Sequence, residues 1–221
     1  MEQLVQIIGA LAVLAAFLAS PDGPSAVGIL VLPDVRGLYR FYEELALRFA
    51  ERGYHALALD YFGRTAGVDK RPNDWEFRPH VDATAPEGLR ADAAAAVARL
   101  YEAGATTIFT VGFCFGGRLS WTLAAKGLGV AGAVGFYGRP GDVPVEEIEA
   151  PILALQAGDD ANITHEHNEE FRARLRAAGI EHELIEYEGA PHSFFDRKQE
   201  QFQDASDDAW RRTLAFVERY G

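Results

Sequence analysis

The sequence predicts an α/β protein with a mainly parallel central sheet, helices on both faces and an N-terminal β-hairpin. Three observations carry this expectation. Apolar runs at 26–32, 106–111, 130–137 and 151–156 lack the alternation of half-exposed strands and read as strands buried on both faces. Segments of helical spacing lie between them, the pattern of repeated βα units. A length of 221 residues, 48% of them hydrophobic, suits one domain spanning 1–221 with a full core.

The elements follow in order from the N-terminus. Gln3–Ile8 and Leu11–Ala19 read as two strands joined at Gly9-Ala10. The same run has the apolar core and small-residue ending of a signal peptide, but Met1-Glu2-Gln3 brings an acid and no base. A folded hairpin is therefore the expectation. Ala26–Leu32 is a buried strand, and Leu38–Arg52 is a helix with Phe41, Leu45 and Phe49 on one face. Tyr54–Leu59 is a strand ending at Asp60. Gly63–Ala83 is polar, arginine-rich and irregular, with Trp75 and Phe77 as anchors. Thr84-Ala85-Pro86-Glu87 is a capping box with proline in the first turn, opening a helix that runs to about Ala103. Strand Thr106–Val111 and helix Arg118–Lys126 come next, then strands Val130–Tyr137 and Pro151–Gln156. Thr164 caps a helix over His165–Ala178, Glu183–Tyr187 is a strand, and Asp204–Tyr220 is a closing helix with Trp210, Leu214 and Val217 facing inward.

Charge and cysteine content narrow the function. The 33 acidic and 21 basic residues give a net charge of −12, a surface that repels nucleic acid and anionic membranes. The apolar run from Leu4 to Ala19 contains Gln6 and is too short to span a bilayer comfortably. The single cysteine excludes an intrachain disulfide and points to a reducing, cytoplasmic compartment. No cofactor motif is present, and His165 and His167, two residues apart, do not share a helix face for a metal. A monomer or small homo-oligomer is expected.

The chemistry is concentrated in Gly112-Phe113-Cys114-Phe115-Gly116-Gly117, between a buried strand and a helix. Strand, G-x-C-x-G, helix is the nucleophile elbow of α/β-hydrolases with cysteine in place of serine. Small residues let strand and helix approach, and the helix N-terminus favours a thiolate and a developing oxyanion. A lone cysteine is more commonly a small buried hydrophobe. Here, however, two further groups follow in the order the chemistry needs. A strand ends in Gly158-Asp159-Asp160, and a later strand is followed by Gly189-Ala190-Pro191-His192-Ser193-Phe194. Aspartates also favour turns, and a loop histidine can be simple surface. Nucleophile, acid and histidine in this order, each after a strand, make a base and its orienting group the better reading.

These motifs, together with Leu59-Asp60-Tyr61-Phe62-Gly63-Arg64 and Gly135-Phe136-Tyr137-Gly138, resemble the dienelactone hydrolase (carboxymethylenebutenolidase) family over essentially the whole chain. The resemblance implies Cys114 as nucleophile, His192 as base and Asp160 as its acid, with Asp159 the second choice. It implies an acid near the thiol at Asp34, where the family usually has glutamate, one methylene longer. It implies an oxyanion hole from the backbone N–H groups of Val35 and Phe115. Asp34 read locally could instead cap the helix starting near Leu38. Family members that take dienelactone hold its carboxylate with two arginines. Arg197 is the candidate after the histidine, displaced by about one residue, and Arg71 or Arg78 the candidate before the long helix. Ser193 joins these substrate-binding candidates, and Arg36 and Arg64 are further basic residues near the same sheet edge. Several arginines at one rim of an acidic protein suggest an anionic substrate.

Leaving-group chemistry adds a constraint of its own. A thiolate leaves more readily than an alkoxide, so a tetrahedral adduct on Cys114 collapses usefully only when the departing oxygen is also a good leaving group. Enol lactones and activated esters meet that condition. The expected function is thus a hydrolase opening dienelactone or a related enol lactone through an acyl-enzyme. Its rivals are a promiscuous carboxylesterase with the same residues and a non-catalytic binding protein on a hydrolase fold.

Overall fold

The computed structural model describes residues 2–8, 13–72, 74–125 and 127–221, with side chains from residue 15 onward. Its contacts form two compact units, Met1–Ile108 and Phe109–Gly221.

The first unit holds β1 (Glu2–Ile8), β2 (Val13–Ala19), β3 (Val27–Leu32), α1 (Arg40–Glu51), β4 (His55–Leu59), α2 (Gly63–Ala66), α3 (Arg78–Asp82) and α4 (Pro86–Glu102). Strands β1 and β2 pair antiparallel, Glu2 opposite Ala19 and Ile8 opposite Val13. The expected turn at Gly9-Ala10 and the start of the second strand at Leu11 lie outside the described residues. β2 pairs antiparallel with β4, and β3 runs parallel to β4, so the order is β1-β2-β4-β3. Every residue of β4 is buried, as its continuous apolar run requires.

Three expectations in this unit are corrected. α1 buries Tyr42, Leu45, Ala46 and Phe49, so its inner face begins at Tyr42, while Phe41 is half-buried. The 63–83 stretch is not wholly irregular, since it contains α2 and α3. Within it Trp75 anchors as expected, its ring 4.7 Å from His80 and 5.5 Å from Phe62. Thr84 does not cap α4, whose N-cap is Ala85 with no side-chain bond. Its hydroxyl donates to the Val81 carbonyl at 2.8 Å and closes α3 instead. Pro86 takes the first helical position, where a missing N–H costs nothing, and this moves the cap past the threonine.

The second unit opens at Phe109 within β5 (Thr107–Phe113) and carries α5 (Phe115–Leu123), β6 (Gly132–Phe136), β7 (Ile152–Asp159), α6 (His165–Ala177), β8 (His182–Pro191) and α7 (Gln203–Tyr220). β5, β6, β7 and β8 pair in that order and all in parallel. Two glycines of β6 show helices on both faces. A β-carbon on Gly132 would sit 2.6 Å from Phe216 of α7, and one on Gly135 would enter the Trp121 ring of α5. Residues three apart on a strand point to opposite faces, so α7 and α5 cover opposite sides.

α6 begins with the expected Thr164 cap, as the Thr164 hydroxyl accepts from the His167 N–H at 3.4 Å. α5 starts earlier than its helical spacing suggests, directly after Cys114. α7 turns Ala209, Thr213, Phe216 and Val217 inward, leaving Trp210 and Leu214 half-buried, a correction of about one position in helix phase. Among the described residues no helix is long and apolar enough to cross a membrane.

Gly135→Ala should lower the unfolding free energy by about 1–3 kcal/mol, the usual cost of overpacking a core. Gly141→Ala, which meets nothing within 4 Å, should stay within about 0.5 kcal/mol of wild type. Urea titration of both variants compares the two directly.

Candidate active site

The sharpest local geometry lies at the β5–α5 junction. Cys114 has φ 55 and ψ −109, in a region that L-residues rarely adopt. Its neighbours make this possible. A β-carbon on Gly112 would collide with the Gly116 carbonyl, and one on Gly117 would lie 2.6 Å from the Phe136 carbonyl. The Cys114 N–H donates to the same Phe136 carbonyl at 3.0 Å, tying the turn to β6. Cys114 is half-buried and stands at the N-cap of the nine-residue α5, with Phe115 the first helical residue. The sulfur thus sits at the positive end of a helix dipole.

Asp160 follows the last residue of β7 and is buried. Its Oδ1 accepts from the backbone N–H groups of Asn162 at 2.9 Å and Ile163 at 3.2 Å. Its Oδ2 meets His192 Nδ1 at 2.6 Å. Burial works against the Asp160 charge, but the bond to His192 and the two backbone donors outweigh it and hold the carboxyl below its usual value. Asp159, the other candidate, is exposed at the end of β7, its Cα paired with Pro191. The structure therefore brings Asp160, not Asp159, to the histidine.

His192 follows β8 at the start of a turn that continues through Ser193. Burial opposes its charge, yet interactions with the Asp160 carboxylate and the Cys114 side chain push its pKa up to about 10. Ser193 is buried beside it with φ 65, and its carbonyl accepts the N–H groups of Arg197 at 3.1 Å and Lys198 at 3.2 Å. Phe195 anchors the turn, its ring tilted 4.6 Å from that of Phe136, which in turn stacks 4.6 Å from Phe113.

Sequence reasoning passed over Tyr137 as a site residue. It is fully buried with φ 37, and its ring centroid lies 5.0 Å from that of His192. The Tyr137 hydroxyl donates to Asp196 Oδ1 at 2.9 Å. Its place at the end of a buried strand, within Gly135-Phe136-Tyr137-Gly138, was the available signal.

Three of the expected arginines are paired with carboxylates of the protein itself. Arg36 holds Asp34 in a fork, Nε to Oδ2 at 2.9 Å and a terminal nitrogen to Oδ2 at 2.7 Å. The backbone N–H of Arg36 also donates to Asp34 Oδ1 at 2.9 Å, across half-buried Val35. Burial opposes the Arg36 charge, but the bonds to Asp34 win and raise its pKa. Asp34 is buried and does not cap α1, whose N-cap is Tyr39 with no side-chain bond. Arg71 grips Asp60 with two nitrogens, at 3.0 and 2.6 Å, and lies 4.5 Å from the Trp75 ring centroid. Arg64 pairs in the same two-pronged way with fully buried Asp92. These three guanidinium groups serve internal carboxylates. Arg78, opening α3, and Arg197 are exposed.

One cluster could hold a cation. Among the described residues, ligand atoms of His165, Glu169 and Glu186 lie within 4.8 Å of one another. Arg172 already supplies positive charge there, with its guanidinium 3.2 Å from Glu169 and 3.9 Å from Glu186.

Comparison with known proteins bears on the family and the fold. A family model described as "Dienelactone hydrolase family" matches residues 14–221. A protein of Escherichia coli (strain K12) named "Putative carboxymethylenebutenolidase" is 31% identical over 223 residues, covering 90% of this chain and 79% of its own. A protein of the same name from Yersinia pestis is 29% identical over 227 residues, covering 94% of this chain and 84% of its own. A crystal structure described as a "Putative Dienelactone Hydrolase" from Klebsiella pneumoniae superposes with a TM-score of 0.88 at 26% identity, covering 100% of this chain and 99% of its own. The fold is that of the α/β-hydrolases.

The raised pKa of His192 has a measurable sign. A histidine whose folded pKa lies above its ordinary value near 6.5 contributes stability that is complete below about 6.5 and is lost as pH rises through about 10. The Tm of the wild type should therefore fall more steeply between pH 7 and pH 10 than that of His192→Gln. Parallel curves would remove the charged pair from the folded state.

Proposed function

The chain belongs to the dienelactone hydrolase family, and on that premise we propose that it opens small enol lactones or activated esters through a covalent acyl-enzyme on Cys114. The family match across 14–221 supports a carboxylic ester hydrolase read as one domain. The observation that carries the mechanism is the 2.6 Å contact of His192 Nδ1 with buried Asp160, the Cys114 side chain acting on the same imidazole to raise its pKa.

The steps follow from that arrangement. Sulfur attacks the lactone carbonyl carbon as a thiolate, its proton resting on His192, and a C–S bond forms. The negative oxygen is stabilised by the helix N-terminus, with the Phe115 N–H as donor. The ring C–O bond then breaks, and the departing enolate oxygen takes the proton from His192. Water attacks the thioester and gives its proton to His192, and the C–S bond breaks. The acid product leaves, and Cys114 and His192 return to the starting state. Asp160 keeps the imidazole in the tautomer that both halves need.

An anionic lactone is the first substrate reading, with exposed Arg197 and Arg78 as candidates for its carboxylate. One observation favours the second reading, a hydrolase of neutral activated esters: Arg36 and Arg71 already hold Asp34 and Asp60. The single cysteine supports a reducing, cytoplasmic setting.

Iodoacetamide should label Cys114 once and abolish turnover, while full activity after complete alkylation would refute the nucleophile. His192→Ala should lower kcat on the order of 10³-fold, as in other triads. Asp160→Asn should be severe and Asp159→Asn mild, and the reverse order would reassign the acid.

Replacing Arg197 by alanine should raise KM for an anionic lactone and spare a neutral ester. The loss should be about 1.5–3 kcal/mol, the usual worth of a hydrogen bond to a charged group. Equal losses on both substrates would favour the neutral-ester reading.

A further inference from the structure

Asp160 holds only one atom of the His192 ring. The interactions with Asp160 and with the Cys114 side chain hold the edge of the imidazole but leave its plane free to rock about the line between them, and with it the aim of the other nitrogen. That nitrogen must serve first the departing oxygen and then water. A packing contact on the ring itself is needed to fix its tilt.

Tyr137 supplies such a contact. Its ring lies 5.0 Å from the His192 ring at an interplanar angle of 55°. Its backbone is held in an uncommon conformation, φ 37, by the bond from its N–H to the Leu155 carbonyl at 2.9 Å. Gly138 follows it so closely against α5 that a β-carbon there would lie 2.7 Å from the Arg118 nitrogen. Bulky residues keep a positive φ only where their surroundings over-determine it, and such residues cluster at functional sites. The phenol is fixed at its far end as well, by donating to Asp196 at 2.9 Å. Asp196 is delivered by the turn that carries His192 itself, four residues on, where the bond from the Arg197 N–H to the Ser193 carbonyl makes one helix-like turn. The result is a closed circuit from His192 along the turn to Asp196, through the hydroxyl to Tyr137, and back across the ring contact.

We propose that Tyr137 and Asp196 are a positioning pair for His192, with the phenol ring setting the tilt of the imidazole and the Asp196 carboxylate locking the phenol. The pair touches no reacting atom, and the inference rests on the proposed role of His192 as base.

A double-mutant cycle on an activated p-nitrophenyl ester tests it. Tyr137→Phe keeps the ring and removes the lock, so kcat should fall about 5- to 20-fold while KM stays within twofold. Asp196→Ala should show the same split. Asp196→Asn retains an oxygen that can accept the phenol and should recover part of the Asp196→Ala loss. The double variant Tyr137→Phe/Asp196→Ala should be no slower than the worse single one, because both break one link. Additive losses, or a rise in KM at constant kcat, would overturn the pairing. Cys114→Ala, assayed beside these variants, separates the two claims. Activity that survives Cys114→Ala would overturn the proposed function, and this inference with it. An inactive Cys114→Ala together with additive losses would overturn the pairing alone.

Discussion

No β-carbon fits at Gly112 or Gly117, and much of the site depends on that fact. Their absence lets α5 start immediately after β5, which forces Cys114 to a positive φ and leaves its sulfur at a helix N-terminus. The same close approach brings the Cys114 N–H onto the Phe136 carbonyl at 3.0 Å and fixes the elbow to β6. Tyr137 is the next residue, so the backbone that holds Cys114 also holds the ring against His192. Backbone strain is concentrated here, at Cys114, Tyr137 and Ser193, the described non-glycine residues with positive φ. Strain of this kind is retained where packing repays it.

Electrostatics complete what the steric constraint begins. Asp160 is buried, but three hydrogen-bond partners satisfy it, so its charge persists and aligns the imidazole. His192 in turn keeps its proton well above its ordinary range. Elsewhere the acidic protein uses guanidinium groups to steady buried carboxylates, Arg36 on Asp34, Arg71 on Asp60 and Arg64 on Asp92. An ion pair with one buried partner is costly to break, because it leaves a charge without compensation.

The difference between what the sequence disclosed and what it hid has a physical basis. The elbow, the acid turn and the histidine loop were legible because each is a short motif whose residues must be contiguous to make the turn. Buried strands were legible from unbroken apolar runs. Helix phase was less so: Tyr42 displaced Phe41 on α1, and Phe216 rather than Leu214 faces inward on α7. An amphipathic stripe is wide enough to tolerate a shift of one residue. The Thr84 cap misled because Pro86 moved the helix start. Arginine roles were hidden for a different reason. Arg64 and Asp92 are 28 positions apart, and only the fold brings them together. Asp196 escaped notice because it meets Tyr137, 59 positions away, only once the chain has folded.

The account stands on a covalent bond to one sulfur. Intact-protein and peptide mass spectrometry after rapid quench with a p-nitrophenyl ester tests it most directly. One acyl mass on the peptide containing Cys114, formed with the p-nitrophenolate burst and lost during turnover, is the expected result. Steady turnover with no adduct, or an adduct on any other residue, would contradict it.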